Sequence, residues 1–238
     1  MNKNDANNFL CHFDFSSLEE LNPSLVDGYY IYYSKEVPCE IRKQTSEHFS
    51  QEVGVFETLN VQIFVLGEEF NAKSVKIELT SETNLFFHFT QTVNAHTFKT
   101  MQNKQKLTID FSEYLSVVIK MFNSCVKEPQ GFLAIFTKKI NGMGQLNFVK
   151  NMQYKFIDLL VCDFIESNED TIKESITYRY NVSKSKNSIM NKRLQDISLL
   201  IKSKNPSLLM QLQKTAMKQL DMINNKNNTK NICNQKWI

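Results

Sequence analysis

The chain has 238 residues, 42% of them hydrophobic, 11% aromatic and 22% charged, enough for one ordinary core and too few for two full domains. No apolar run approaches the ~18 residues that a membrane-spanning helix needs, so no membrane insertion is expected. The net charge of +3 is unevenly split: from Lys184 onward there are 11 basic residues and only two acids, Asp196 and Asp221, a segment of +9, while the 17 basic and 23 acidic residues before it sum to −6.

Residues 1–22 are rich in Asn, Ser and acids, yet Phe9, Leu10, Phe13, Phe15, Leu18 and Leu21 give them more apolar content than a purely disordered arm carries. A poorly ordered or docking segment is expected there. MNKNDANNFLCHFDF has no basic stretch leading into an apolar one, so the expectation is a soluble, cytoplasmic protein. Strand-like runs follow at Tyr29 to Tyr33, Val37 to Ile41 and Leu59 to Leu66, the last placing Leu59, Val61, Ile63 and Val65 on one face. Val75, Ile77 and Leu79 alternate in the same way, and a turn at Ser81 to Asn84 leads to Leu85, Phe87 and Phe89. These are antiparallel strands with one buried face.

Asn94 to Gln105 reads as a short helix with Phe98 and Met101 on its inner side, followed by a strand over 106–111. Ser112 is placed to cap the next helix, in which Leu115, Val118, Ile119 and Phe122 recur at helical spacing. Phe132 to Phe136 opens a hairpin whose turn, Ile140-Asn141-Gly142-Met143-Gly144, contains an Asn-Gly pair suited to positive φ. Leu146, Phe148 and Tyr154 to Ile165 complete the sheet.

Asn168, Glu169 and Asp170 offer a cap and favourable charge for a long helix over 169–204. Ile172, Ile176, Met190, Leu194, Ile197 and Ile201 fall at heptad-like spacings and form its candidate seam. Arg179, Ser183 and Lys186 make the middle of that seam polar, which limits it to a weak homodimer or oligomer. Asn205-Pro206 ends this helix and starts a short amphipathic one over 205–222, with Leu208, Leu209, Leu212, Met217 and Leu220 on its apolar side. Residues 223–238 read as a disordered basic tail. Lys184, Lys186, Lys192, Arg193, Lys202 and Lys204 are the candidate contacts for an acidic partner such as a tubulin tail.

No catalytic constellation is found. His12, His48, His88 and His96 have no Ser, Cys or carboxylate at a recognisable spacing, and His88 alternates with Phe87 and Phe89 as a sheet-surface residue does. Cys11, Cys39, Cys125, Cys162 and Cys233 are too scattered for a disulfide framework or a metal site. The loop at 141–144 lacks the third glycine and the helix of a dinucleotide site. A non-enzyme with no cofactor and no metal is expected.

KSVKIELTSETNLFFHFTQT (73–92), QKLTIDFSEYLSVVIKMFNSC (105–125) and VKNMQYKFIDLLVCDF (149–164) together resemble the N-terminal head of the spindle assembly abnormal protein 6 family, the centriolar cartwheel proteins. In the last segment Tyr154-Lys155 replaces the family's Phe-Lys. YRYNVSKSKNSIMNKRLQDISLLIKSKNPSLLMQLQKT (178–215) resembles the short "like" branch known from flagellated and apical-complex protists. The resemblance implies an α+β fold: an antiparallel β-sandwich or barrel-like head over 23–168 with an inserted helix-turn-helix, followed by a C-terminal helical stalk.

It also implies self-association. In the family the head pairs through an apolar side chain on the hairpin before the Val-Glu-Thr-Asn-like turn, and the stalk dimerises as a coiled coil. Counted back from Val149, that position falls near Gln145 and Leu146, where this chain has no aromatic, so Ile140, Met143 and Leu146 are the candidate head–head residues. At ~1.5 Å per residue, 169–204 spans about 50 Å, short of a cartwheel spoke. The implied role is a structural component of the cytoskeleton at a basal body or centriole, flagellar base or apical complex, with tubulin or other centriolar or apical proteins as partners. The alternative is a head-and-stalk scaffold of the DNA end-joining type, binding nucleic acid through its basic tail; residues 105–111 and 149–164 match the cartwheel pattern better, so nucleic acid is not the expected partner.

Overall fold

A computed structural model describes residues 15–44, 54–68, 71–208, 210, 211, 214, 215, 217 and 218. The expectations for residues 1–14, including His12 and Cys11, for His48, for Leu209, Leu212 and Leu220, and for the tail at 223–238 lie outside them. The chain divides into two compact units, Met1–Tyr180 and Asn181–Ile238.

After a single helical turn, α1 (Ser16–Glu19), and a 3-10 segment (Pro23–Gly28), the chain enters a strand meander. It comprises β1 (Tyr29–Lys43), β2 (Val55–Glu68), β3 (Asn71–Ser81) and β4 (His88–Asn94). Helices α2 (Ala95–Gln105) and α3 (Phe111–Lys127) interrupt it. Strands β5 (Phe132–Lys138), β6 (Met143–Met152) and β7 (Lys155–Glu166) follow, and β7 runs into α4 (Glu169–Lys204).

The strands close a barrel in the order β1-β2-β3-β4-β7-β6-β5. Neighbours are antiparallel except for β1 and β5, which pair in parallel from Cys39↔Ala134 to Lys43↔Lys138. This closure follows from the helical insertion: α2 and α3 carry the chain across the barrel and return it beside β1 in the same direction, as parallel neighbours require. The two expected runs at 29–33 and 37–41 are one strand, bulged near Tyr32.

Strand alternation points Leu59, Val61, Ile63, Val65, Val75, Ile77 and Leu79 inward, all without solvent exposure. Phe87, Phe89 and Phe136 fill one end of the barrel at centroid distances of 4.9 to 5.2 Å in tilted and edge-on arrangements, the geometry that aromatic quadrupoles favour. The seam between β4 and β7 is short, with only Phe89↔Glu166 and Thr90↔Ile165 paired. Beyond it Gln105 at the end of α2 grips the edge of β7: its amide donates to the Val161 carbonyl at 2.7 Å and accepts from the Val161 N–H at 2.8 Å. The side chain thus replaces a strand partner.

α3 lays Tyr114, Leu115, Val118, Phe122 and Cys125 on the core, a stripe at helical spacing. The segment before it differs from the sequence expectation. No strand forms over 106–111; Lys106 closes α2 in a left-handed conformation at φ 54°, and the helix starts from Asp110 rather than Ser112. The Asp110 N–H donates to the Glu113 carboxylate at 3.0 Å, half of a capping box. Aspartate is a favoured N-cap residue, which outweighs the strand propensity of its β-branched and aromatic neighbours.

Candidate self-association surfaces

The β5–β6 hairpin turns as expected at Asn141-Gly142, with Gly142 at φ 73°. Ile140 is 70% exposed and Met143 is half-buried. Leu146 is not available to a partner: it is fully buried, paired across the ladder with Phe136 on one side and Cys162 on the other. The alternation that makes the sheet turns this residue inward, so the assignment of Leu146 to a head–head contact is corrected.

A further exposed apolar surface lies at the other end of the same ladder, on the β6–β7 turn. Met152 pairs with Lys155, leaving Gln153 and Tyr154 as a two-residue loop. Gln153 has a positive φ of 25°, and Tyr154 stands at the apex, 97% exposed. Met152, Phe156 and Ile157 are exposed beside it. Tyr154-Lys155 is the pair that stands at the family's Phe-Lys position, so the resemblance marks this turn as well as the hairpin.

α4 begins on Asn168, whose side chain accepts from the Thr171 N–H at 2.8 Å. Its first turns belong to the barrel unit. Ile172 and Ser175 are buried, the Tyr178 hydroxyl donates to the Leu18 carbonyl at 3.3 Å, and the Arg179 guanidinium donates to the Ser81 and Leu85 carbonyls, each at 3.0 Å. Ile172 is therefore spent within the head, and Ile176 is half-buried there. Met190 and Leu194 are exposed, and Ile197 and Ile201 are half-buried on the same helix. Lys184, Lys192, Lys202 and Lys204 are exposed, whereas Lys186 and Arg193 are half-buried.

His88 is not on the sheet surface. It is fully buried, with Nδ1 at 2.8 Å from the Ser167 hydroxyl and Nε2 at 3.4 Å from a Glu78 carboxylate oxygen, out of line for a hydrogen bond. The other Glu78 oxygen accepts from the Ser24 hydroxyl at 2.6 Å. Burial pushes the Glu78 carboxyl up, but His88, the Ser24 hydroxyl and Lys76 outweigh it and hold it below its ordinary value. The order Glu, His, Ser is that of a hydrolytic triad. Here the imidazole is sealed inside, and the chain of contacts joins the N-terminal segment, β3, β4 and the β7–α4 link, which is the work of a polar clamp. Among the described residues, no three His, Cys, Asp or Glu side chains are grouped to hold a metal. No described helix is long and apolar enough to cross a membrane.

The barrel and its helix have known counterparts. A fragment of Leishmania SAS-6 containing parts of its coiled coil matches with a TM-score of 0.61 at 14% identity, over 75% of this chain and 97% of that one. An N-terminal fragment of Drosophila melanogaster Sas-6, described as dimerised via the coiled-coil domain, matches at 0.62 and 14% identity over 86% and 98%. The N-terminal coiled-coil dimer of C. elegans SAS-6 matches at 0.53 and 11% identity over 69% and 94%. These likenesses concern the fold. In sequence, the chain is 22% identical to the spindle assembly abnormal protein 6 homolog of Gallus gallus over 144 residues, which are 57% of this chain and 22% of that protein. The family model for the centriolar protein SAS N-terminal domain matches residues 31–164, more than half of the chain, and the chain belongs to that family.

Proposed function

We propose that this chain is a non-enzymatic assembly unit of a microtubule-based organelle, at a centriole or basal body, flagellar base or apical complex, and that it self-associates at two separate surfaces. One is the β6–β7 tip, where Tyr154 stands in the place of the family's phenylalanine. The other is α4 beyond Tyr180, through Met190, Leu194, Ile197 and Ile201. The observation that carries the reading is the exposed aromatic at that tip: Tyr154 is 97% exposed at the turn into β7, in the position of the family's Phe-Lys pair.

Two different two-fold contacts in one chain generate closed rings or open polymers, depending on the angle between them. Each contact is small and individually weak, and the two together gain avidity. The basic residues Lys184, Lys192, Lys202 and Lys204, with Lys186 and Arg193, supply a charge-driven attraction to acidic tubulin tails. Localisation of a tagged chain tests the assignment. Coincidence with basal bodies, centrioles or the apical pole is expected; uniform cytosolic or nuclear signal contradicts it, the nuclear case favouring the DNA scaffold.

A further inference from the structure

The loop between β3 and β4 is braced beyond what a connection needs. The Ser81 hydroxyl accepts from the Thr83 and Asn84 N–H groups at 3.1 and 2.9 Å, and the Ser81 and Thr83 hydroxyls both donate to the Glu57 carboxylate. The Asn84 side chain accepts from the Phe86 N–H at 3.2 Å, and its carbonyl from the Phe87 N–H at 2.9 Å. Arg179 holds the Ser81 and Leu85 carbonyls from α4. The product of this bracing is two adjacent apolar side chains facing water: Leu85 is 47% and Phe86 is 69% exposed, while Phe87 turns into the core. Their conformation is fixed in advance, so a partner that covers them has little ordering cost to meet.

We propose that Leu85 and Phe86 dock against a second copy of this chain at the base of its α4, extending the helix pair onto the head. This rests on the self-association reading above. Area selects the occupant: two such side chains bury on the order of 200 Å², against the ~1,200 Å² of an independent stable interface, so the patch works only as an extension of a larger contact. Position supplies that contact. Arg179 ties the Leu85 backbone to α4 one residue before Tyr180, itself exposed, and paired helices lie about 8–10 Å apart, which brings a second helix base beside the loop. Charge agrees, since Glu82 is exposed on the loop and the segment from Lys184 on is +9.

Sedimentation equilibrium of the full chain provides the test. Leu85→Asp with Phe86→Asp, and the milder Phe86→Ser, are expected to weaken the dimer about tenfold or more without lowering the melting temperature. A photo-crosslinking amino acid at position 86 is expected to give a covalent dimer joined near Tyr180 of the other copy. If the wild type is a monomer at ~100 µM, the self-association reading fails and this inference with it. If, in a Tyr154→Asp background that leaves only the helix contact, Ile197→Asp dissociates the dimer while the loop variants dimerise normally, or the crosslink stays within one chain, the docking inference alone is overturned.

Discussion

Replacing Leu146 and replacing Tyr154 by alanine should have opposite consequences, because one side chain is wholly inside the barrel and the other is 97% outside it. Leu146 meets Phe136 and Cys162 across its two ladders, so truncation leaves a cavity costing about 2–5 kcal/mol. For a unit of this size each kcal/mol moves the melting temperature by roughly 2–4 °C, which predicts a fall of about 4–20 °C. Tyr154→Ala touches no core and should stay within about 0.5 kcal/mol of wild-type stability. In a head–head contact, however, an inserted ring buries about 150 Å² or more, a gross gain near 4 kcal/mol at ~25 cal/mol/Å². A net loss of about 2 kcal/mol on truncation corresponds to roughly 30-fold in Kd. Thermal melts and sedimentation equilibrium on the same samples, in an Ile197→Asp background that removes the helix contact, separate the two effects. A Leu146→Ala protein that melts like wild type, or a Tyr154→Ala protein that self-associates like wild type, would refute the reasoning.

Three further outcomes are expected. Glu78 is held below its ordinary value of 4.5 in the folded state, so its contribution to stability is present above that pH and is lost as the pH falls through the lowered value. Melting temperatures of wild type and Glu78→Gln should therefore differ most at neutral pH and draw together as the pH falls below 4.5; a gap that stays constant through acid pH contradicts the clamp. Gly144→Ala places a Cβ against the Phe136 ring and 3.0 Å from Phe89, and overpacking of this kind should destabilise by about 1–3 kcal/mol in a denaturant titration. A chain ending at Asn181 should pellet with microtubules less than the full chain, and the difference should shrink steeply as salt is raised past ~0.1 M; equal pelleting removes the basic segment from the mechanism.

Local periodicity carried much of the fold. Val75, Ile77 and Leu79 alternate because β3 has one wet face, and Asn168 caps α4 through the bond its short side chain makes. The misreadings have non-local causes. Ile109-Asp110-Phe111 has strand composition, but Asp110 caps α3. Leu85 looks like the start of a strand, yet Arg179, 94 residues later, holds its carbonyl in an exposed turn. Parallel closure of β1 on β5 leaves no periodic trace. His88 alternates like a surface residue because the Ser24 segment and the β7–α4 link that cover it are remote in sequence. Ile172 fits the heptad spacing and is consumed by the head before any seam begins. Tyr154 lies between Gln153 and Lys155, where an aromatic is unremarkable until the turn places it at an apex.

The most direct test of two separate contacts, at the Tyr154 turn and on α4, is the mass distribution of the full chain at high concentration, by sedimentation velocity. Wild type is expected to form species larger than a dimer, Tyr154→Asp and Ile197→Asp are each expected to stop at dimers, and the double variant to be monomeric. Wild type limited to a dimer, or either single variant assembling as far as wild type, would contradict the account.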